Sequence, residues 1–177
     1  MFTEHTIGSA PAAARRSMTA TINHNGYLPT AVALMATSPE LLDGFLKMSA
    51  AFDGTTLDPI AREVVIMTMA TRNGCHLCVA MHTARLTKLG ADDGLLAALR
   101  GGSALADERL DAIRVFTLRA LETTGDVGDP ALKAFLAQGY TERNALEVVL
   151  GIGAYTMSTL ANRLTGAPID EPLRQFA

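Results

Sequence analysis

Apolar residues recur along this chain at helical spacing, and Gly and Pro cut the pattern into short segments. The spacing predicts a first helix over Ala10 to Thr21, broken at Asn23-His24-Asn25-Gly26, with Tyr27-Leu28-Pro29 as an extended turn. Thr30 to Thr37 reads as a short helix. Ser38 as N-cap and Pro39 at the first helical position open the next, which carries Leu41, Leu42, Phe45, Leu46 and Met48 inward and ends near Asp53-Gly54. Asp58-Pro59 repeats that start signal for a helix to about Arg72, with Ile60, Val64, Met67 and Thr71 along one stripe. After Asn73-Gly74 another helix runs from Cys75 to Lys88 and ends at Leu89-Gly90. A short helix holds Leu95, Leu96 and Leu99 before Gly101-Gly102. Asp107 to Thr123 is amphipathic, Asp129-Pro130 opens a further helix, and Thr141 caps a long one reaching about Leu164. No alternating β-branched run is long enough for a sheet, so the expected class is all-α. No linker divides the chain, and a single domain over 1–177 is expected.

Composition narrows the function classes. Of 177 residues, 49% are hydrophobic, which excludes disorder, and the net charge of −3 comes without a basic run that would hold nucleic acid or anionic lipid. The first residues lack the apolar core of a signal peptide. The longest apolar stretch, Ala145 to Ala161, contains Glu147, Tyr155, Thr156, Ser158 and Thr159 and reads as a buried helix, not a membrane span. A soluble, cytoplasmic protein is the expectation. Its two cysteines are too few for a secreted disulfide scaffold, and in a reducing compartment a C-x-x-C pair is redox-active or metal-binding more often than structural.

The chemistry concentrates in Glu63 to His82, with spacing E-x11-C-x2-C-x3-H, inside a core segment of about 57–90. Cys75, Cys78 and His82 fall on one helix face. The unpaired N–H groups of the first turn favour a thiolate, which points to Cys75 as the more acidic thiol. A C-x-x-C pair at a helix start closes into a disulfide with little backbone movement, so one cysteine can attack an oxidant and the other resolve it. Glu63 lies two to three turns below the Asn73-Gly74 break and His82 about two turns beyond it. A helical hairpin brings carboxylate and imidazole to similar depth, which gives an acid set among Val64, Val65 and Ile66 a partner.

This pattern resembles the alkylhydroperoxidase D-like branch of the carboxymuconolactone decarboxylase family. The likeness includes the glutamate, both cysteines and the final histidine. It extends to the Ser38-Pro39-Glu40-Leu41-Leu42 helix start and to Asn162-Arg163, covering about Tyr27 to Asp170. The resemblance implies an alkylhydroperoxidase D-like helical bundle with the C-x-x-C site in a helix hairpin, and a homo-oligomer, trimer or hexamer. It implies a peroxidase that reduces hydrogen peroxide or organic peroxides, with no bound cofactor and an external dithiol or reductant protein. By position, Cys78 matches the attacking cysteine and Cys75 the resolving one, with Glu63 and His82 as proton relay. In the mycobacterial-type enzyme a second histidine directly precedes the second cysteine. Here that place is Leu77, and His76 sits about 100° around the helix, facing elsewhere.

Other readings compete. Cys75, Cys78 and His82, with Glu63, offer ligands to zinc, although a structural C-x-x-C site normally has a second pair on another element. A redox adaptor or sensor would use the same disulfide without turnover. A decarboxylase of the cyclic-lactone branch would not use the cysteines. His24 reads as a turn residue and Asn162 as an internal cap or subunit contact.

Overall fold

The computed structural model describes residues 2–177, and among them every regular element is helical. In chain order these are α1 (Arg15–Asn25), α2 (Thr30–Met35), α3 (Pro39–Asp53), α4 (Pro59–Arg72), α5 (His76–Lys88), α6 (Asp93–Gly101), α7 (Glu108–Glu122), α8 (Asp129–Ala137) and α9 (Glu142–Thr165). One-turn 3-10 segments stand at Ala12–Ala14 and Glu171–Phe176. Ser38, Asp58 and Thr141 cap their helices as the spacing predicts, whereas Asp129 is the first residue of α8 behind Gly128 and makes no cap bond. Ser38, Asp58, Asp92 and Asp107 each accept from a first-turn amide, at 3.3 Å for Leu41 and 2.8 Å for Ala61, Leu95 and Leu110. Thr141 and Asn144 form a reciprocal capping box at the head of α9.

Helix α4 is the axis of the bundle, with α5, α6, α7 and α9 packed around it. The single stripe expected along it is a correction. Ile60 and Thr71 are only half-buried, while Ala61, Glu63 and every residue from Val64 to Ala70 are buried. A helix surrounded on all sides has no solvent face to keep polar, so its apolar positions spread round the barrel. Two apolar clusters meet along it. The larger joins Val64, Val65, Ile66 and Met67 to Phe52, Leu86, Ile113, Phe116, Phe135 and Tyr155. The smaller joins Ala70, Cys75, Leu77 and Cys78 to Met18, Val32, Met35, Leu42 and Ala161.

Two further expectations change. The break placed at Asn23-His24-Asn25 is the last turn of α1, which Gly26 ends in a left-handed conformation (φ 80°), so His24 is an exposed helical residue. Helix α9 is not buried all round. It packs on α3 and α4 through one face and leaves Leu146, Val149, Leu160 and Leu164 outward, at 53–73% exposure. Among the described residues no helix is long and apolar enough to cross a membrane.

The α3–α9 contact is tight at Gly151. A Cβ there would stand 2.7 Å from the ring of the fully buried Phe52. Gly151→Ala is expected to cost about 1–3 kcal/mol through this overpacking, read as a fall in thermal midpoint, and an unchanged melt would mean that the ring has room to shift.

Candidate active site

The hairpin between α4 and α5 is built at one residue. Helix α4 closes in a Schellman motif. The Cys75 amide donates to Ala70 O at 2.9 Å, the Gly74 amide donates to Thr71 O at 3.1 Å, and Gly74 takes φ 63°. Cys75 then serves as N-cap of α5, its carbonyl accepting from the Val79 amide at 2.9 Å. The same backbone ends one helix and starts the next, which makes the connection short and fixes the hairpin register.

That register brings Glu63 and His82 together. Glu63 Oε2 and His82 Nδ1 are 2.6 Å apart, with both residues under 5% exposed. Burial raises the Glu63 carboxyl and is the largest single influence on it. The electrostatic pull and hydrogen bond of His82, followed by the guanidinium groups of Arg85 and Arg62, outweigh burial and hold the group below its ordinary value. Arg85 Nη1 lies 3.5 Å from the other carboxylate oxygen, and its Nη2 lies 3.8 Å from Asp53. Tyr155 of α9 packs edge-on to the His82 ring at 5.4 Å, with Ser49 Oγ at 3.2 Å from its hydroxyl.

Cys75 and Cys78 pair as a disulfide, with Cα atoms 5.3 Å apart. Both are buried. Met18, Val32, Met35 and Leu42, from α1, α2 and α3, share their apolar cluster. His82 lies one turn beyond Cys78 on α5, and its recorded hydrogen-bond partner is Glu63 rather than either sulfur. His76 points to solvent while Leu77 is buried beside the cysteines, as the shift of one position predicts. Among the described residues no group of three or more His, Cys, Asp or Glu side chains is arranged to hold a metal.

Helix α9 clasps this hairpin from outside. Asn73 Nδ2 donates to Thr159 Oγ1 at 2.9 Å, the Arg163 guanidinium donates to the Asn73 carbonyl, and Asn162 Nδ2 donates to Cys78 Sγ at 3.3 Å. Sequence reasoning had no role for Arg85 or Tyr155, and for Asn162 it offered an internal hydrogen bond or a subunit contact without naming Cys78. Arg85 was within reach, because it follows His82 by three residues and so shares its face. Asn162 lies 84 positions from Cys78, and no local pattern joins them.

Fold and site together define an all-helical protein with an alkylhydroperoxidase D-like fold and a paired-cysteine hairpin. Residues 39–117, which include Glu63, Cys75, Cys78 and His82, match the model of the Carboxymuconolactone decarboxylase family, bearing out the resemblance read from the motif. Among solved structures, the chain is similar to an alkylhydroperoxidase AhpD core, a peroxidase-related protein from Ralstonia eutropha JMP134. The TM-score is 0.85 and the identity 18%, covering 97% of this chain and 93% of that one. A peroxidase-related protein from Silicibacter sp. TM1040 gives TM-score 0.79 at 18% identity, covering 94% and 90%. The debrominase Bmp8, as a cysteine-to-alanine variant with 2,3,4-tribromopyrrole, gives 0.76 at 16%, covering 99% and 95%. No curated protein matches the chain.

The buried pair has a pH consequence. A carboxyl whose folded value is depressed contributes stability that is present above its unfolded value and lost as pH falls through the folded one. Wild-type protein is therefore expected to lose stability on acidification below the ordinary carboxylate range. Urea unfolding across that range should show a shallower loss in Glu63→Gln; equal slopes in the two proteins would mean that Glu63 is not held low. The slope does not vanish in the variant, because Asp58, Asp111 and Glu147 are depressed as well.

Proposed function

We propose that this protein is a thiol-dependent peroxidase that cycles between the Cys75/Cys78 dithiol and its disulfide. The observation that carries the reading is the buried Glu63–His82 pair one turn beyond a C-x-x-C pair able to close on itself. His82 takes the proton of the Cys78 thiol, and Glu63 holds the imidazole in place for it. The Cys78 thiolate attacks the terminal oxygen of a hydroperoxide. An S–O bond forms, the O–O bond breaks, and the departing alkoxide takes the proton from His82. Cys75 then attacks the Cys78 sulfenic acid, the S–S bond forms, and water leaves. An external dithiol restores both thiols by disulfide exchange. Hydroperoxide plus two thiols thus give alcohol, water and disulfide, with no bound cofactor or metal in the cycle. The apolar cluster around the sulfurs favours small organic hydroperoxides.

The alternative is a redox adaptor or sensor that oxidises once and passes its state to a partner. Turnover separates the two. Reduced protein supplied with dihydrolipoamide is expected to consume cumene hydroperoxide or hydrogen peroxide over many cycles, and a single equivalent consumed would favour the sensor. A halogenated pyrrole makes a useful control substrate, given the debrominase among the structural relatives. Cys78→Ser is expected to abolish consumption and Glu63→Gln to slow it by about a hundredfold or more, on the scale of lost general acid–base assistance. Activity kept in Cys78→Ser and lost in Cys75→Ser would reverse the two roles.

The outward apolar face of α9 supports a homo-oligomer. Sedimentation is expected to give a multiple of the 18.7 kDa chain mass, reduced toward that mass by Leu146→Glu with Leu160→Glu. A monomeric wild-type protein would remove this part of the reading.

A further inference from the structure

Asn162 is buried on the inner face of α9. Its Nδ2 donates to Cys78 Sγ at 3.3 Å and lies 3.5 Å from Ser158 Oγ. Its Oδ1 is buried with no hydrogen-bond partner in the protein, the one such side-chain atom among the described residues. A buried amide carbonyl without a protein partner is costly, by about 1–3 kcal/mol, and calls for a physical reason, of which a role in the chemistry beside it is one. The two cysteines are otherwise treated unequally. Cys75 stands at the N-terminus of α5, where the helix dipole favours its thiolate, while Cys78 carries the side-chain donor. The buried side chains that share the sulfurs' cluster, Met18, Val32, Met35, Leu42, Leu77 and Ala161 among them, bring no charge.

We infer that Asn162 works on the reaction with both ends of its amide: the N–H holds Cys78 as the attacking thiolate, and the carbonyl oxygen accepts the O–H of the incoming hydroperoxide. The inference rests on the peroxidase reading and adds a substrate-binding group to it. The proton balance fits the geometry. Attack at the terminal oxygen transfers an intact O–H group to sulfur, so the same hydrogen can bond Oδ1 in the bound hydroperoxide and in the Cys78 sulfenic acid. When Cys75 displaces that oxygen as water, the donor leaves with it. The disulfide state is then the one in which Oδ1 has no partner, and that is the state seen here. The substrate class follows: a ligand with a terminal O–H next to the bond that breaks, hydrogen peroxide or an alkyl hydroperoxide, in preference to a dialkyl peroxide.

The test uses the full chain carrying Cys75→Ser, so that Cys78 is the sole thiol. Asn162→Leu, with Asn162→Ala as the smaller second variant, is compared with Asn162 in two measurements after thermal melts confirm folding. The first is the Cys78 thiol pKa from ultraviolet thiolate absorbance against pH, expected to rise by about one unit or more in the variants. The second is the ratio of the rate constant for cumene hydroperoxide to that for methyl methanethiosulfonate, which has no O–H to donate. Corrected for thiolate fraction, this ratio is expected to fall about tenfold, the worth of one hydrogen bond. A folded variant that keeps both the pKa and the ratio overturns the inference. An unchanged pKa removes the donor half, and an unchanged ratio removes the acceptor half. If protein with Asn162 intact reacts with the thiosulfonate and not with any hydroperoxide, the peroxidase reading fails and the acceptor half with it. The pKa comparison then still decides whether Asn162 holds the thiolate.

Discussion

A carboxylate in the middle of the most enclosed helix is the constraint around which this molecule is arranged. Glu63 sits on α4 between Ala61 and the run from Val64 to Ala70, where an unpartnered charge would be too costly to keep. The imidazole of His82 meets it at 2.6 Å, and Arg85 approaches its other oxygen from the more exposed end of the same face. Removing one partner of such a pair leaves the other buried and unpaired, typically a loss of about 3–5 kcal/mol. The hairpin therefore has one acceptable register. A slip of one residue on α5 would turn His82 by about 100° and strand the acid.

The turn that sets this register is shared between two helices and braced by a third. Cys75 is both the last residue of the α4 Schellman motif and the cap of α5, and α9 grips the residues on either side of it, Asn73 through Thr159 and Arg163 and Cys78 through Asn162. The two sulfurs are thus held between helix ends whose backbone hydrogen bonds are made. Among the described residues their side-chain hydrogen bond comes from Asn162 of α9, and their apolar surroundings draw on α1 to α5 and α9.

Much of this was legible in the sequence because it is local. The caps at Ser38, Asp58 and Thr141, and the break at Asn73-Gly74, depend on residues a few positions apart. The meeting of Glu63 and His82 needed only turn counting on either side of that break. What stayed hidden was what distant segments decide. Periodicity on α4 shows a stripe, because the flanking helices that bury its other sides are not encoded in its own spacing. On α9 the apolar residues are so frequent that pattern alone does not say which face has a neighbour, so Leu146 and Leu160, inside the stretch read as buried, proved exposed. Asn162 looked like a polar residue with some internal partner. That the partner is Cys78 depends on the tertiary crossing of α9 over the hairpin.

The double duty of Cys75 has one more consequence. Its amide and carbonyl are both committed to helix hydrogen bonds, and Cys78 lies within α5 with its Cα 5.3 Å away. The bond between them joins side chains and passes through none of those backbone hydrogen bonds. The helix ends on either side of the pair are therefore held whichever way the sulfurs stand. A messenger needs a memory of its oxidation state, because its partner must feel which state it is in; a catalyst is slowed by one. On the peroxidase reading, a hairpin anchored independently of its own disulfide is suited to repeating a reaction rather than to reporting that it has happened.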